Sequence, residues 1–252
     1  MKLALVTGGL RRLGGHIAGR LAEMGYALAL HGHSDAVPED GLAKMLTDQD
    51  TKWSGFVADF EKDGATEQLL DAVVDHFGRA PDLLVNNASL FDYDDAQNLD
   101  QLSLEKHLKI NMMMPTLLTT SLAKRLSDGC RAAVINIVDQ RVRNPMGDQL
   151  SYTLSKQALA ESVRTLAIAC ADKLRVNGVA PGLTIPTEHY EADQMERLAG
   201  LMPLGRLSSP DDIAAAICYL AEAKSVTGQT LFVDGGAHMK SYDRDFLFMA
   251  KR

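Results

Sequence analysis

Cysteine is scarce in this chain. There are three in 252 residues, Cys130, Cys170 and Cys218, far apart and odd in number. That spacing excludes a disulfide framework or a thiolate metal site, and the three read as buried apolar residues in a reducing compartment. Basic blocks are missing as well. Lys+Arg number 26 against 33 Asp+Glu, for a formal charge of −7. An acidic surface repels a phosphate backbone, so no nucleic-acid partner is expected. Long apolar runs are also absent. Nothing approaches the ~18–20 apolar residues of a membrane span. The apolar start Leu3-Ala4-Leu5-Val6 stops at Thr7-Gly8-Gly9, too soon for a secretory leader. A cytoplasmic protein with no membrane partner is expected, and no internal repeat or low-complexity tract interrupts it.

What is present is an ordinary globular balance, 46% hydrophobic and 23% charged, sized for one α/β domain over residues 1–252. Strand-length apolar runs alternate with longer helical patterns, the arrangement of parallel strands joined by crossover helices. The expected strands are Lys2–Val6, Ala27–His31, Trp53–Ala58, Leu83–Asn86, Ala132–Val138, Arg175–Val179 and Leu231–Asp234. Helices are expected over Leu13–Met24 and near 63–77, 100–127 and 149–173. A last one opens at Ser209-Pro210-Asp211-Asp212, a serine cap followed by proline at the first helical position. Residues 139–148 and 183–206 read as irregular. The second stretch exceeds an ordinary α/β connection and suits a substrate-covering loop.

The first strand runs into Thr7-Gly8-Gly9-Leu10-Arg11-Arg12-Leu13-Gly14-Gly15 and then a helix. Such glycines let backbone approach a pyrophosphate at the positive end of a helix; the plainer alternative is a turn without ligand. The second strand ends in His31-Gly32-His33-Ser34, with no carboxylate before Asp35. An acidic residue there would repel a 2′-phosphate, so NADPH is expected over NADH, with Arg12 and His33 facing the phosphate. His33 could equally be a solvated loop residue.

Asn86-Asn87-Ala88-Ser89 ends the fourth strand at the sheet edge where ligands of such folds bind, or simply forms a turn. Asn111 precedes Pro115 by four residues, so its carbonyl loses its regular helical partner; the result is a kink, or a proton-relay station near Lys156. Tyr152 and Lys156 stand one helical turn apart. A cation beside the phenol is expected to lower its pKa and make it a better proton donor. Asp139 lies thirteen residues before the tyrosine and could instead cap a turn.

Thr7-Gly8…Gly14, Asn86-Asn87-Ala88, Asn111, Tyr152-x-x-x-Lys156 and Pro181-Gly182 together resemble the short-chain dehydrogenase/reductase superfamily from Lys2 to about His238. The resemblance implies one Rossmann-type domain, a doubly wound sheet of seven parallel strands with helices on both faces, and a homotetramer. It gives catalytic roles to Asn111, Tyr152 and Lys156, places Asp59 near the adenine, and puts Thr184 beside the nicotinamide. By the same resemblance the cofactor-binding set is Gly8, Arg12, Leu13, Gly14, His33, Ser34, Asp59, Asn87, Ala88, Ser89, Tyr152, Lys156, Pro181, Gly182 and Thr184.

The family normally has serine where this chain has Asp139, and glycine where it has Arg12. That pair of departures, with Asn87-Ala88-Ser89-Leu90-Phe91, Val138-Asp139 and Pro181-Gly182-Leu183-Thr184, is similar to pteridine reductases. The likeness implies a pterin sandwiched between Phe91 and nicotinamide and contacted by Arg12 and Asp139, with Tyr152 and Leu183 completing the substrate site. No metal is expected. Chemistry agrees: a ketone reductase needs a neutral donor where negative charge develops, whereas a carboxylate suits the ring N–H and amino donors of a pterin. Phe91 taken alone could be packing. NADPH-dependent reduction of a dihydropterin is the expected activity. The alternatives are a ketone or 3-oxoacyl thioester reductase and a nucleotide-sensing protein without catalysis. The tail 237–252 carries no readable role.

Overall fold

The computed structural model describes residues 1–186, 190–191 and 193–251. Among these, seven strands form one parallel sheet: β1 Leu3–Thr7, β2 Ala27–Gly32, β3 Trp53–Val57, β4 Leu83–Asn86, β5 Ala132–Ile137, β6 Leu174–Pro181 and β7 Thr230–Val233. Their order across the sheet is β3-β2-β1-β4-β5-β6-β7. β1, β2, β4 and β5 are buried throughout. Helices cover both faces, and a strand shielded on both sides reads as a continuous apolar run.

On one face pack α1 (Arg12–Glu23), α2 (Asp40–Asp48) and α8 (Pro210–Glu222), sealing Ile17, Leu21, Leu42 and Ile213 against the strands. On the other lie α3 (Ala65–Phe77), α5 (Met114–Arg125) and α6 (Leu150–Ala169), burying Leu70, Leu118 and Leu166. α8 opens as expected, with Ser209 and Asp212 exchanging the two bonds of a capping box.

Several expectations need correction. The 100–127 helix is not continuous: α4 (Gln101–Leu108) passes into a π-turn over Lys109–Met113, and α5 begins with Pro115 in its first turn. The wider turn lies where the proline's missing donor would otherwise break the regular ladder. α2 was not foreseen, and α7 (Gln194–Ala199) interrupts the stretch read as irregular. Part of that proposed covering loop, residues 187–189 and 192, lies outside the described residues. A 3₁₀ turn over Gln140–Val142 begins the 139–148 segment. Cys130 is exposed, because it sits in the surface turn between α5 and β5 where its amide bonds back to Ser127.

The order of strands reverses between β1 and β4, so the connections after these two strands diverge and leave a crevice at their carboxyl ends. β5 and β6 end on the same edge.

Candidate active site

The carboxyl edge of the sheet opens into a cleft of about 1060 Å³. The glycine turn after β1 forms one end. Gly8 has φ +59, and a side chain on Gly14 would place its Cβ 1.9 Å from the Gly8 carbonyl oxygen. Only a backbone without Cβ closes that turn, and it sits at the start of twelve-residue α1, the positive end of its dipole. Asn87 holds the turn shut: its Nδ2 donates to the carbonyls of Thr7 and Gly8 at 2.9 and 3.1 Å. The amides of Asn87 and Ala88 donate to Thr7 Oγ1 at 2.9 and 3.0 Å.

Arg12 has φ +51. Left-handed backbone favours glycine and costs other residues about 1–2 kcal/mol, which accounts physically for glycine being usual here. Its amide donates to Glu39 Oε2, and its exposed side chain faces the cleft. At the end of β2, His33 stands 3.6 Å from Asp59, and Asp35 is held by Arg11 at 2.6 Å. His33, Ser34 and Asp59 lie beyond the cleft lining proper. Gly32 adds a correction. A Cβ there would fall 2.1 Å from the Asp35 carbonyl, so packing forbids a carboxylate at this position whatever the cofactor.

The other end of the cleft holds the titratable groups. Tyr152, 8% exposed, donates its hydroxyl to Asp139 Oδ2 at 3.0 Å. Lys156 is buried, with Nζ donating to the Ile137 carbonyl at 2.8 Å and lying 5.6 Å from the Tyr152 ring centre. Phe91 meets Tyr152 edge to face, ring centres 4.7 Å apart, yet remains 49% exposed toward the cleft. An exposed aromatic on the cleft wall is available for stacking.

Burial lowers the Lys156 ammonium to about 8. The Tyr152 phenol is not lowered as expected: desolvation, followed by the Asp139 charge, pushes it well above its ordinary value. The cation that opposes this is Arg141 and not Lys156, and it is outweighed because the phenolate would be buried beside a carboxylate.

Asn111 is fully buried, and its side chain is committed to the loop after β4. Oδ1 accepts from the Leu90 amide at 2.7 Å and from Ser89 Oγ at 3.1 Å; Nδ2 donates to the Leu90 carbonyl and to Ser155 Oγ at 2.9 Å. It joins the π-turn, the Ser89–Phe91 loop and α6. Pro181, Gly182, Leu183 and Thr184 line the far wall, and Thr184 Oγ1 is bonded to the Gly182 carbonyl and Ser208.

Sequence reasoning missed three residues at this end: Arg141, Gln149 and Asp245. Arg141 is buried and bonds Asp139, Gln149 and Asp245. Arg141 follows Asp139 by two positions, a weak signal. Asp245 comes from the tail and is paired with Arg141 across 104 positions, a pairing no local spacing encodes. Among the described residues, no cluster suited to a metal ion occurs, and no helix is long and apolar enough to cross a membrane.

Residues 9–238 match the family described as enoyl-(acyl carrier protein) reductase. The chain belongs to the short-chain dehydrogenase/reductase superfamily. It is an oxidoreductase of that superfamily, with its Rossmann-type seven-stranded fold. Among solved structures, this short-chain reductase is similar to FolM alternative dihydrofolate reductase 1 from Brucella canis complexed with NADP. The two share 35% identity and a TM-score of 0.89, over 97% of this chain and 96% of that one. Pteridine reductase 1 from Leishmania tarentolae is 31% identical, covering 93% of this chain and 95% of that protein. Glucose 1-dehydrogenase 2 from Bacillus subtilis is also 31% identical, over 93% and 94%. Similarity of this degree therefore spans more than one substrate class.

Proposed function

We propose that this chain is an NADPH-dependent reductase of dihydropterins, yielding the tetrahydro form. One observation carries the reading: Asp139, a carboxylate, receives the Tyr152 hydroxyl at 3.0 Å beside the exposed ring of Phe91. A reductase of ketones needs a neutral donor at that point, since negative charge develops on the substrate oxygen. A pterin instead presents ring N–H and amino donors, which a carboxylate accepts. The relatives named as pteridine and dihydrofolate reductases agree with this choice.

The glycine turn with its Asn87 brace fits a pyrophosphate, and Leu13, Ala88 and Ser89 line the cleft beside it. His33 and Ser34 would receive the 2′-phosphate, with Asp59 near the adenine. When bound, NADPH supplies the hydride that the pterin C=N accepts. Pro181, Gly182 and Thr184 would flank the nicotinamide. Phe91, Leu183 and Arg12 hold the ring for attack, and Asp139 turns from Tyr152 toward the pterin donors. That turn frees the Tyr152 hydroxyl to give its proton to the ring nitrogen, which balances the reduction. Lys156 supports the charge left on Tyr152, and Asn111 fixes the Phe91 loop. Residues 183–206 would cover the substrate. The reading includes a cytoplasmic homotetramer, which light scattering of the purified protein checks.

A carbonyl reductase is the second reading, favoured by Arg141, which offsets the Asp139 charge, and by the glucose dehydrogenase relative. NADPH oxidation measured side by side on dihydropterins, dihydrofolate and a ketone panel separates the two. Turnover of ketones alone overturns the pterin reading.

A further inference from the structure

The groups proposed to handle the proton are wired to the C-terminal tail. Arg141 lies between two carboxylates. Its Nε is 3.2 Å from Asp139 Oδ1, and Nη2 is 2.7 Å from Asp245 Oδ2. Its backbone amide donates to the same Asp139 oxygen at 2.9 Å. Nη1 donates to Gln149, a buried residue with φ +54 at the start of α6. Non-glycine backbone in that region persists only where its surroundings hold it.

The tail end of the network is equally fixed. The Asp245 amide donates to Asp148 Oδ2 at 2.8 Å, and its neighbour Arg244 reaches Asp148 Oδ1 at 3.2 Å. Phe246 is buried with Leu198, Met202 and Ala237. Gln194 Nε2 binds the carbonyls of Phe246, Leu247 and Met249 at 3.2, 3.1 and 2.7 Å.

The arrangement has an electrostatic reason. A guanidinium prefers to grip one carboxylate with two parallel bonds. If Arg141 did so with Asp139, its Nη2 would compete with the Tyr152 hydroxyl at Oδ2 and weaken that bond. Asp245 occupies the far edge of the guanidinium, so Asp139 is touched by Arg141 at Oδ1 and keeps Oδ2 for Tyr152. Asp139 and Asp245 also balance Arg141 and Lys156 in a largely buried site, two charges of each sign.

We propose that Asp245 is a positioning residue: by holding the outer edge of Arg141 it leaves one oxygen of Asp139 free to receive the Tyr152 hydroxyl and then the substrate. This rests on the roles proposed for Asp139 and Tyr152, and not on the identity of the substrate.

The test needs no substrate. Ultraviolet difference titration of the NADPH complex, native minus Tyr152→Phe, isolates the ionisation of Tyr152. The charged groups facing it are Asp139, Arg141, Lys156 and Asp245, with Tyr190 in the same cleft and Asp148 and Arg244 behind them. Asp245 adds to the elevation of the Tyr152 pKa set by burial and Asp139, so Asp245→Asn should bring the onset of ionisation to lower pH. Asp245→Glu should bring it back, while NADPH Kd stays within about twofold of native because the phosphate end is remote.

On whichever substrate the native protein reduces, Asp245→Asn should lose on the order of tenfold in kcat, part of the full effect of an acid–base group. A native-like titration in Asp245→Asn overturns the proposal. If that variant does not fold, Asp148→Asn, which loosens the Asp245 amide, should give a smaller shift of the same sign, and none overturns it. Absence of dihydropterin turnover by the native protein would refute the substrate reading alone, and the titration would still decide the role of Asp245.

Discussion

Tyr152 is placed where its phenolate is hard to form. Burial and the adjacent Asp139 carboxylate both favour the neutral phenol, so in the proposed mechanism it keeps its proton until a substrate displaces Asp139. Tyr152→Phe keeps the ring against Phe91 and removes only the hydroxyl, so kcat should fall by ~10²-fold or more with NADPH affinity unchanged. Near-native turnover would show that the proton comes from elsewhere. Lys156 sets a pH limit. Its ammonium, lowered to about 8 by burial, is charged below that value and neutral above it. The cation that supports an ionising Tyr152 is thus lost as pH rises, and kcat/KM should decline through about pH 8. A profile flat to pH 10 would contradict this. Asp139→Ala should abolish dihydropterin turnover. Asp139→Ser should do the same but gain weak activity on small ketones, which steady-state kinetics on one substrate of each kind would resolve.

The turn after β1 and the end of β2 are proposed to act together on the cofactor. Because Gly32 has no space for a side chain, selectivity is better tested one position on, at exposed His33. His33→Asp should weaken NADPH binding by roughly tenfold through repulsion of the 2′-phosphate while sparing NADH; equal loss of both would mean a folding defect. The same elements show what was legible in the sequence. β4 was readable to the residue, since a buried parallel strand is an unbroken apolar run bounded by polar turns. α2 was not, because only Leu42 and Leu46 are buried in it and two residues make no periodicity. The π-turn was half legible: Pro115 announced an irregularity, but its form is decided by Asn111 bonding across to Leu90 and Ser155, contacts that local sequence does not contain.

For the molecule as a whole, the parallel order brings the ends of β1, β4, β5 and β6 to one edge, and so gathers motifs scattered over the chain. That is why the family resemblance carried by Gly14, Asn87, Tyr152 and Pro181 could point to one site. Arg141 and Asp245 could not, since their meeting depends on how the tail folds back. The tail also contributes to global stability through Phe246. Phe246→Ala should cost about 3–5 kcal/mol if it empties a packed position, read as a lower urea midpoint; an unchanged midpoint would mean the tail docks independently of the core. The position of Asp245 has a consequence for the order of synthesis. The glycine turn, β4 and the Tyr152 helix leave the ribosome well before the residue that braces Arg141 from 104 positions downstream. A nascent chain therefore contains the proposed nucleotide-binding elements before it can complete its proton-handling group.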